Sequence, residues 1–429
     1  MSNSAIANRL QALLRPNDTI WWGQATAEPL TLSRALVEHR HQLGQGGRLQ
    51  VFVGLGLSNT LLPEHADVLD FLGYAASGPH RALAQAGVLD IIPSHYSLLP
   101  VLIAQGRIPA DVVFVQVSPP DAQGRYSLGQ VREYIPAAME RARVIVGEVH
   151  PDVPWTFGGP YLKASDFALL VDSECALPDM VRSEPGVTEK SIASHIAALI
   201  EDGSCIQLGI GNLPEAVTAA LRHHKDLGLH SGAIGDGIAD LADAGALNNA
   251  RKNINVGMGT AGVLMGGERL RRWAHQNQQL QMCDTGYTHA PEILSGLNKF
   301  VAINSAIEVD LTGQINAEVA GGIYMGAVGG AMDFLRGAAR SKGGLPIVAL
   351  PSTAKAHSRI VAQLSGPVST PRADAGLIVT EYGVADLRGQ PLSKRVRRMI
   401  DIAAPEHRES LDQQAHNLLR QCGAAFHAR

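Results

Sequence analysis

Aromatic residues make up only 5% of this 429-residue chain, and neither sign of charge prevails. Thirty-six Lys and Arg stand against 40 Asp and Glu, for a net charge of −4. That near balance excludes a protein that coats nucleic acid through a general basic field, so any anionic ligand has to be met by local donors. Cysteine is scarce. The four residues, at 175, 205, 283 and 422, include no close pair, so neither a secreted disulfide framework nor a zinc knuckle is encoded. No apolar run is long enough to span a bilayer, and Met1–Pro16 has no basic stretch followed by an apolar one. The sixteen histidines show no His-x₃-His spacing, and there is no Gly-x-Ser-x-Gly elbow. A cytoplasmic enzyme without a metal is the expectation.

What is present is glycine, 45 residues of it, among many short apolar runs. Ile6, Leu10, Leu13 and Leu14 recur at helical spacing behind a Ser4 cap, with Pro16 as the stop. Strands are predicted at Leu49–Val53, Val112–Val117, Val144–Val146 and Ala168–Val171. A second series follows at Cys205–Leu208, Phe300–Ile303, Pro346–Leu350 and Leu377–Thr380. These runs are continuous rather than alternating, as in parallel sheets buried on both faces. The stretch from Asp172 to Val187 is polar and holds Pro178 and Pro185. A boundary there predicts two α/β domains, residues 1–180 and 186–429.

Three Gly-rich stretches lie in the second half: Gly209-Ile210-Gly211, Gly321-Gly322, and Gly326 to Gly330. A strand–Gly turn–helix unit offers backbone N–H groups to an anion, and it also serves simple tight packing. None forms a dinucleotide fingerprint or a Walker loop. Alternation puts Glu308 and Asp310 on one face, either as paired carboxylates or as the solvated side of a hairpin.

At these residues the sequence resembles the acetyl-CoA hydrolase/transferase family, in particular bacterial 4-hydroxybutyrate CoA-transferases, over nearly its whole length. The matching blocks include Ala27-Glu28-Pro29, Val117 to Asp121 with Gly124, Gly147-Glu148-Val149, Gln207 to Gly211 and Ile303 to Asn316. Val328-Gly329-Gly330, Ala349 to Ala354 and Thr380 to Gly389 complete the series. The resemblance implies two related open α/β domains with the acyl-CoA site in the cleft between them, coenzyme A or acyl-CoA as substrate, and a homodimer. It assigns coenzyme A contacts to Gly209, Gly211, Gly329, Gly330, Pro351, Ser352, Thr353, Glu381, Tyr382 and Gly383, and adds Asn316 to the catalytic candidates.

In that family a glutamate in a His-Ser/Thr-Glu block attacks the thioester and becomes a glutamyl-CoA. A carboxylate suits the task because its mixed anhydride keeps the acyl group activated. Here the block reads His230-Ser231-Gly232, so the nucleophile position is Gly232. Ala331 also replaces a family Gln, and the stretch Lys355–Ser358 is shortened, with His357 in it. The expectation is an acyl-CoA enzyme in which a second substrate, or water, attacks the thioester directly. His230, His95 and His357 are candidate bases by residue type. Two alternatives stand beside it: a CoA-transferase using a relocated carboxylate, Glu308 or Glu318, and a non-catalytic acyl-CoA binder.

Overall fold

The computed structural model describes residues 2–421, so Cys422 lies outside the described residues. The chain divides into two compact units. The first holds the residues through Val181 together with Ser231–Ala239 and Met258–Ala290. The second holds Arg182–His230, Asp240–Gly257 and the residues from Pro291 onward.

The first unit is built on a seven-stranded, wholly parallel sheet. Its order in space is Leu89–Ile91, Leu69–Gly73, Leu49–Val53, Thr19–Trp22, Val112–Val117, Val144–Val149 and Leu169–Asp172. The first strand in the chain lies at the centre, so the chain winds outward in both directions from it. The helix Asn3–Leu13 buries Ile6 and Leu10 in the same core as Val51, Phe114 and Val146. Its N-cap is Ser2, whose hydroxyl accepts from Ala5 N, and not the expected Ser4. Ser4 falls inside the first turn, where its neighbours already have helical geometry.

In the second unit, Cys205–Leu208, Phe300–Ser305, Leu345–Ala349 and Leu377–Thr380 lie side by side in parallel. Gly383–Asp386 closes the edge in antiparallel fashion. Four strand expectations match to the residue: Leu49–Val53, Val112–Val117, Cys205–Leu208 and Leu377–Thr380. Residues 173–186 carry neither helix nor strand. Among the described residues no helix is long and apolar enough to cross a membrane.

The Glu308–Asp310 strand departs from expectation, because Glu308, Val309 and Asp310 are all buried. No face of it is solvated. Ile360–Val361 pairs along it, and Ser365 donates from its N and Oγ to Glu308. Asp310 is consumed by its own turn, accepting from Thr312 and Gln314. The pair Gly321-Gly322 is also reassigned. Both residues have positive φ, 58° and 77°, and join the antiparallel strands Val319–Ala320 and Ile323–Tyr324 in a two-residue hairpin. Glycine is needed there for turn geometry rather than to cradle an anion.

Candidate active site

In a parallel sheet every strand ends at the same edge, so the residues that follow the strands are gathered there whatever their separation in sequence. The register of the second unit aligns Leu208 with Ile303, Ser305 with Ala349, and Ala349 with Val379. Gly209–Gly211, Pro351–Thr353 and Glu381–Gly383 all leave that carboxyl edge. Gly330 caps the helix Ala331–Arg340, which runs back to the strand Leu345–Ala349. Gly211, at φ 105°, caps Asn212–Ala220. Both caps are glycine and give the helix ends no side-chain hydrogen bond, the arrangement in which a helix N-terminus receives an anion.

One contact fixes this edge. Ser352 N donates to Glu381 Oε2 at 2.8 Å and Ser352 Oγ to Oε1 at 2.7 Å. The backbone carbonyl of Glu381 in turn accepts from Ser191 Oγ at 3.1 Å. Glu381 therefore positions a loop rather than presenting a free carboxylate. Tyr382 is exposed, with the Arg408 guanidinium over its ring at 5.7 Å, and Gly383 takes φ 138°.

The other sequence candidates are not brought together. His357 is exposed on a hairpin in which it pairs with Ala354. His230 is fully buried, edge-on to Phe300 with ring centroids 6.3 Å apart. Asn316 is consumed by structure: Nδ2 donates to Glu308 Oε1 and to the Val319 carbonyl, and Oδ1 accepts from Glu318 N and Val319 N. Glu318 accepts from Tyr324 Oη and Ser369 Oγ, both at 2.7 Å. Several motif residues of the first half are framework as well. Glu148 accepts from Thr31 N, Leu32 N and Ser173 Oγ, tying a strand to the start of the helix Leu30–Glu38.

The first unit holds a constellation that sequence reading missed. Gln24, Leu55, Tyr74 and Tyr96 each follow the end of a parallel strand and so converge. Gln24 Oε1 accepts from Tyr74 Oη at 2.5 Å and from Leu55 N at 3.0 Å, and its Nε2 donates to Tyr96 Oη at 3.0 Å. The same Nε2 donates to Glu133 Oε2 at 2.7 Å, and the Tyr96 hydroxyl also hydrogen-bonds that carboxyl. Glu133 is 3% exposed and sits at φ +44°, a left-handed conformation that is costly for a residue with a side chain. Burial pushes its carboxyl up to about 7, against the opposing pull of the Gln24 and Tyr96 hydrogen bonds.

Gly232 lies beside this group. A Cβ on Gly262 would stand 2.8 Å from the Gly232 carbonyl oxygen and 3.3 Å from Glu133 Cγ, so both press on one face of Gly262. Among the described residues Tyr134 Oη and His95 Nδ1, both buried atoms, have no hydrogen-bond partner. Tyr134 Oη and Gln24 Oε1 lie 2.9 and 2.8 Å from where a Cβ on Gly54 would be, so a side chain at 54 would displace them.

Comparison with known proteins decides the kinship. The acetyl-CoA hydrolase/transferase N-terminal domain matches residues 4–163, and the C-terminal domain of the same family matches 266–415. The chain belongs to the acetyl-CoA hydrolase/transferase family. It is 34% identical to the 4-hydroxybutyrate coenzyme A transferase of Clostridium kluyveri, over 94% of this chain and 95% of that one. Among solved structures, RipA from Yersinia pestis superposes with a TM-score of 0.90 at 29% identity, covering 97% of this chain and 99% of RipA. A 4-hydroxybutyrate CoA-transferase from Porphyromonas gingivalis gives 0.79 at 31% identity, covering 97% and 96%. The two-domain α/β fold expected from the sequence is the fold of this family.

Proposed function

We propose that this acyl-CoA-utilising member of the family transfers the acyl group from coenzyme A directly to a second nucleophile, with no glutamyl-CoA intermediate. The observation that carries the reading is Gly232. It stands where the family block His-Ser/Thr-Glu has its nucleophile, within a chain whose framework motifs persist. Removing the carboxylate removes the covalent relay, and on this reading the barrier is lowered by donors to the oxyanion, a large share of the barrier reduction in acyl transfer.

On this reading the phosphates and pantetheine arm of coenzyme A run along Gly329–Gly330, Pro351–Thr353 and Glu381–Gly383, where uncapped helix ends and Gly turns supply donors. A relocated nucleophile at Glu308 or Glu318 is disfavoured. Glu308 ties Asn316 to Ser365 and Glu318 ties Tyr324 to Ser369, so neither can form a covalent bond to the thioester carbon without dismantling those turns, whereas a base need only exchange a proton in place. The test is incubation with a panel of acyl-CoAs, alone and with acetate, alcohols, amines and amino acids, with products read by mass spectrometry. Acyl products on a non-carboxylate acceptor or on water support direct transfer. CoA passed only to acetate restores the ordinary transferase. Retention of acyl-CoA without conversion leaves a binding protein.

A further inference from the structure

Resting on the direct-transfer reading, we infer that Glu133 is the proton acceptor of the reaction, and that the acceptor substrate is a neutral protic group, such as water, an alcohol or an amine, rather than a carboxylate. Three independent observations meet at this residue. Its carboxyl is buried among phenols and an amide, held by Gln24 and Tyr96. Its backbone is in a left-handed conformation that the surrounding structure must enforce, with Thr285 N donating to its carbonyl at 3.0 Å. And it shares one face of Gly262 with the backbone of Gly232, the position that the direct-transfer reading takes as the vacated nucleophile site.

The electrostatics suit the task. A general base works best when its pKa lies near the working pH, and burial brings Glu133 to about 7. Tyr74, Tyr96 and Tyr134 pack around it, all held above the ordinary phenol range by burial, so they stay neutral; Asp284 bridges its backbone and accepts from Tyr287 N, and His289 packs against the Tyr96 ring. Arg132, next in the chain, turns its guanidinium to the Gly159 and Pro160 carbonyls. The carboxylate is therefore uncompensated by any of these groups. A carboxylate acceptor brought beside it is repelled, whereas a hydroxyl, amine or water donates a hydrogen bond to it. The unpartnered Tyr134 hydroxyl in the same bed offers a donor or acceptor to such a group.

The chemistry balances. Glu133 takes the proton of the nucleophile as its lone pair bonds to the thioester carbonyl carbon. The tetrahedral intermediate collapses, the C–S bond breaks, and the coenzyme A sulfur leaves with the proton that Glu133 returns. The carboxylate is regenerated.

The experiment compares wild-type and Glu133→Gln proteins in kcat/KM for acyl-CoA consumption between pH 5 and 9. The substitution keeps size and hydrogen-bond capacity and is predicted to lower the rate about 100-fold or more, with folding checked by circular dichroism. Wild-type kcat/KM is predicted to fall about tenfold per unit below a pH near 7. This second readout stands even if the variant does not fold. A folded Glu133→Gln within threefold of wild type, or a flat wild-type profile from pH 5 to 8, overturns the assignment. Turnover with acetate as the sole productive acceptor overturns the acceptor class. Wild-type protein that converts no acyl-CoA under any condition overturns the direct-transfer reading and the base together, whereas full activity in the variant overturns the base alone.

Discussion

Ser352 gives both of its donors to Glu381, one to each carboxylate oxygen, and so ties two loops that are 29 residues apart in sequence. Ser352 is fully buried and Glu381 is held on both sides, which makes the pair a spacer between the Pro351–Thr353 and Glu381–Gly383 segments. Ser352→Ala removes one of the two bonds and leaves a charged acceptor short of a partner. Coenzyme A affinity, measured by calorimetry, is predicted to weaken about tenfold, in line with the loss of a bond to a charged group. Unchanged affinity would remove this edge from the coenzyme A site.

Gly262→Ala tests the contact beneath the candidate centre. The added methyl would meet the Gly232 carbonyl oxygen at 2.8 Å, and a backbone atom in a sheet cannot swing aside as a long side chain can. The expected cost is about 1–3 kcal/mol of stability, read in a denaturant melt, together with a larger loss of turnover than of coenzyme A binding.

The raised Glu133 carboxyl makes a stability prediction of definite sign. In the unfolded chain it ionises near the ordinary glutamate range; in the folded protein it holds its proton up to about 7. Between those values the folded state binds more protons than the unfolded one, so the stability it contributes is present at acid pH and lost as pH rises through 7. Glu133→Gln is therefore predicted to melt about 2–6 °C above wild type at pH 8 and to show no such gain at pH 4.5. A variant less stable than wild type at pH 8 would contradict the burial of an ionised carboxylate there.

The exposed His357 is predicted to be dispensable. It lies on a surface hairpin, so His357→Ala should leave acyl-CoA consumption within twofold of wild type in a steady-state assay.

How far the sequence reached depends on what each residue's environment required. Leu49–Val53 and Val112–Val117 are continuous apolar runs because both faces of a parallel strand are covered, and that requirement is written locally. The gathering of Gln24, Tyr74, Tyr96 and Glu133 is not local: each is ordinary in its own segment, and only strand order brings them to one edge. A Glu-Tyr pair after the Gly129 turn, set against a Gln two residues past a strand, was the available signal, yet it becomes meaningful only once the sheet is assembled. Glu308 and Asp310 misled for the same reason. Their alternation suggested a wet face, and a strand more than 40 residues later covers it. The motif blocks, by contrast, disclosed the family, because a motif records chemistry residue by residue.

Restoring the nucleophile separates the two transfer routes. Gly232→Glu puts a carboxylate at a buried position, and added volume in a packed site costs about 1–3 kcal/mol. The variant is predicted to lose the native acyl transfer and to show at most weak CoA transfer to acetate. Unchanged native turnover in a folded Gly232→Glu protein would mean that the acceptor does not occupy the space at 232.

The central claim, that acyl transfer proceeds without a glutamyl-CoA, is tested most directly by intact-mass spectrometry of the wild-type protein quenched in acid during turnover of an acyl-CoA. The account predicts the unmodified mass at every time point, before and after borohydride treatment. A stoichiometric increase by the mass of coenzyme A, mapped to any glutamate, would contradict it.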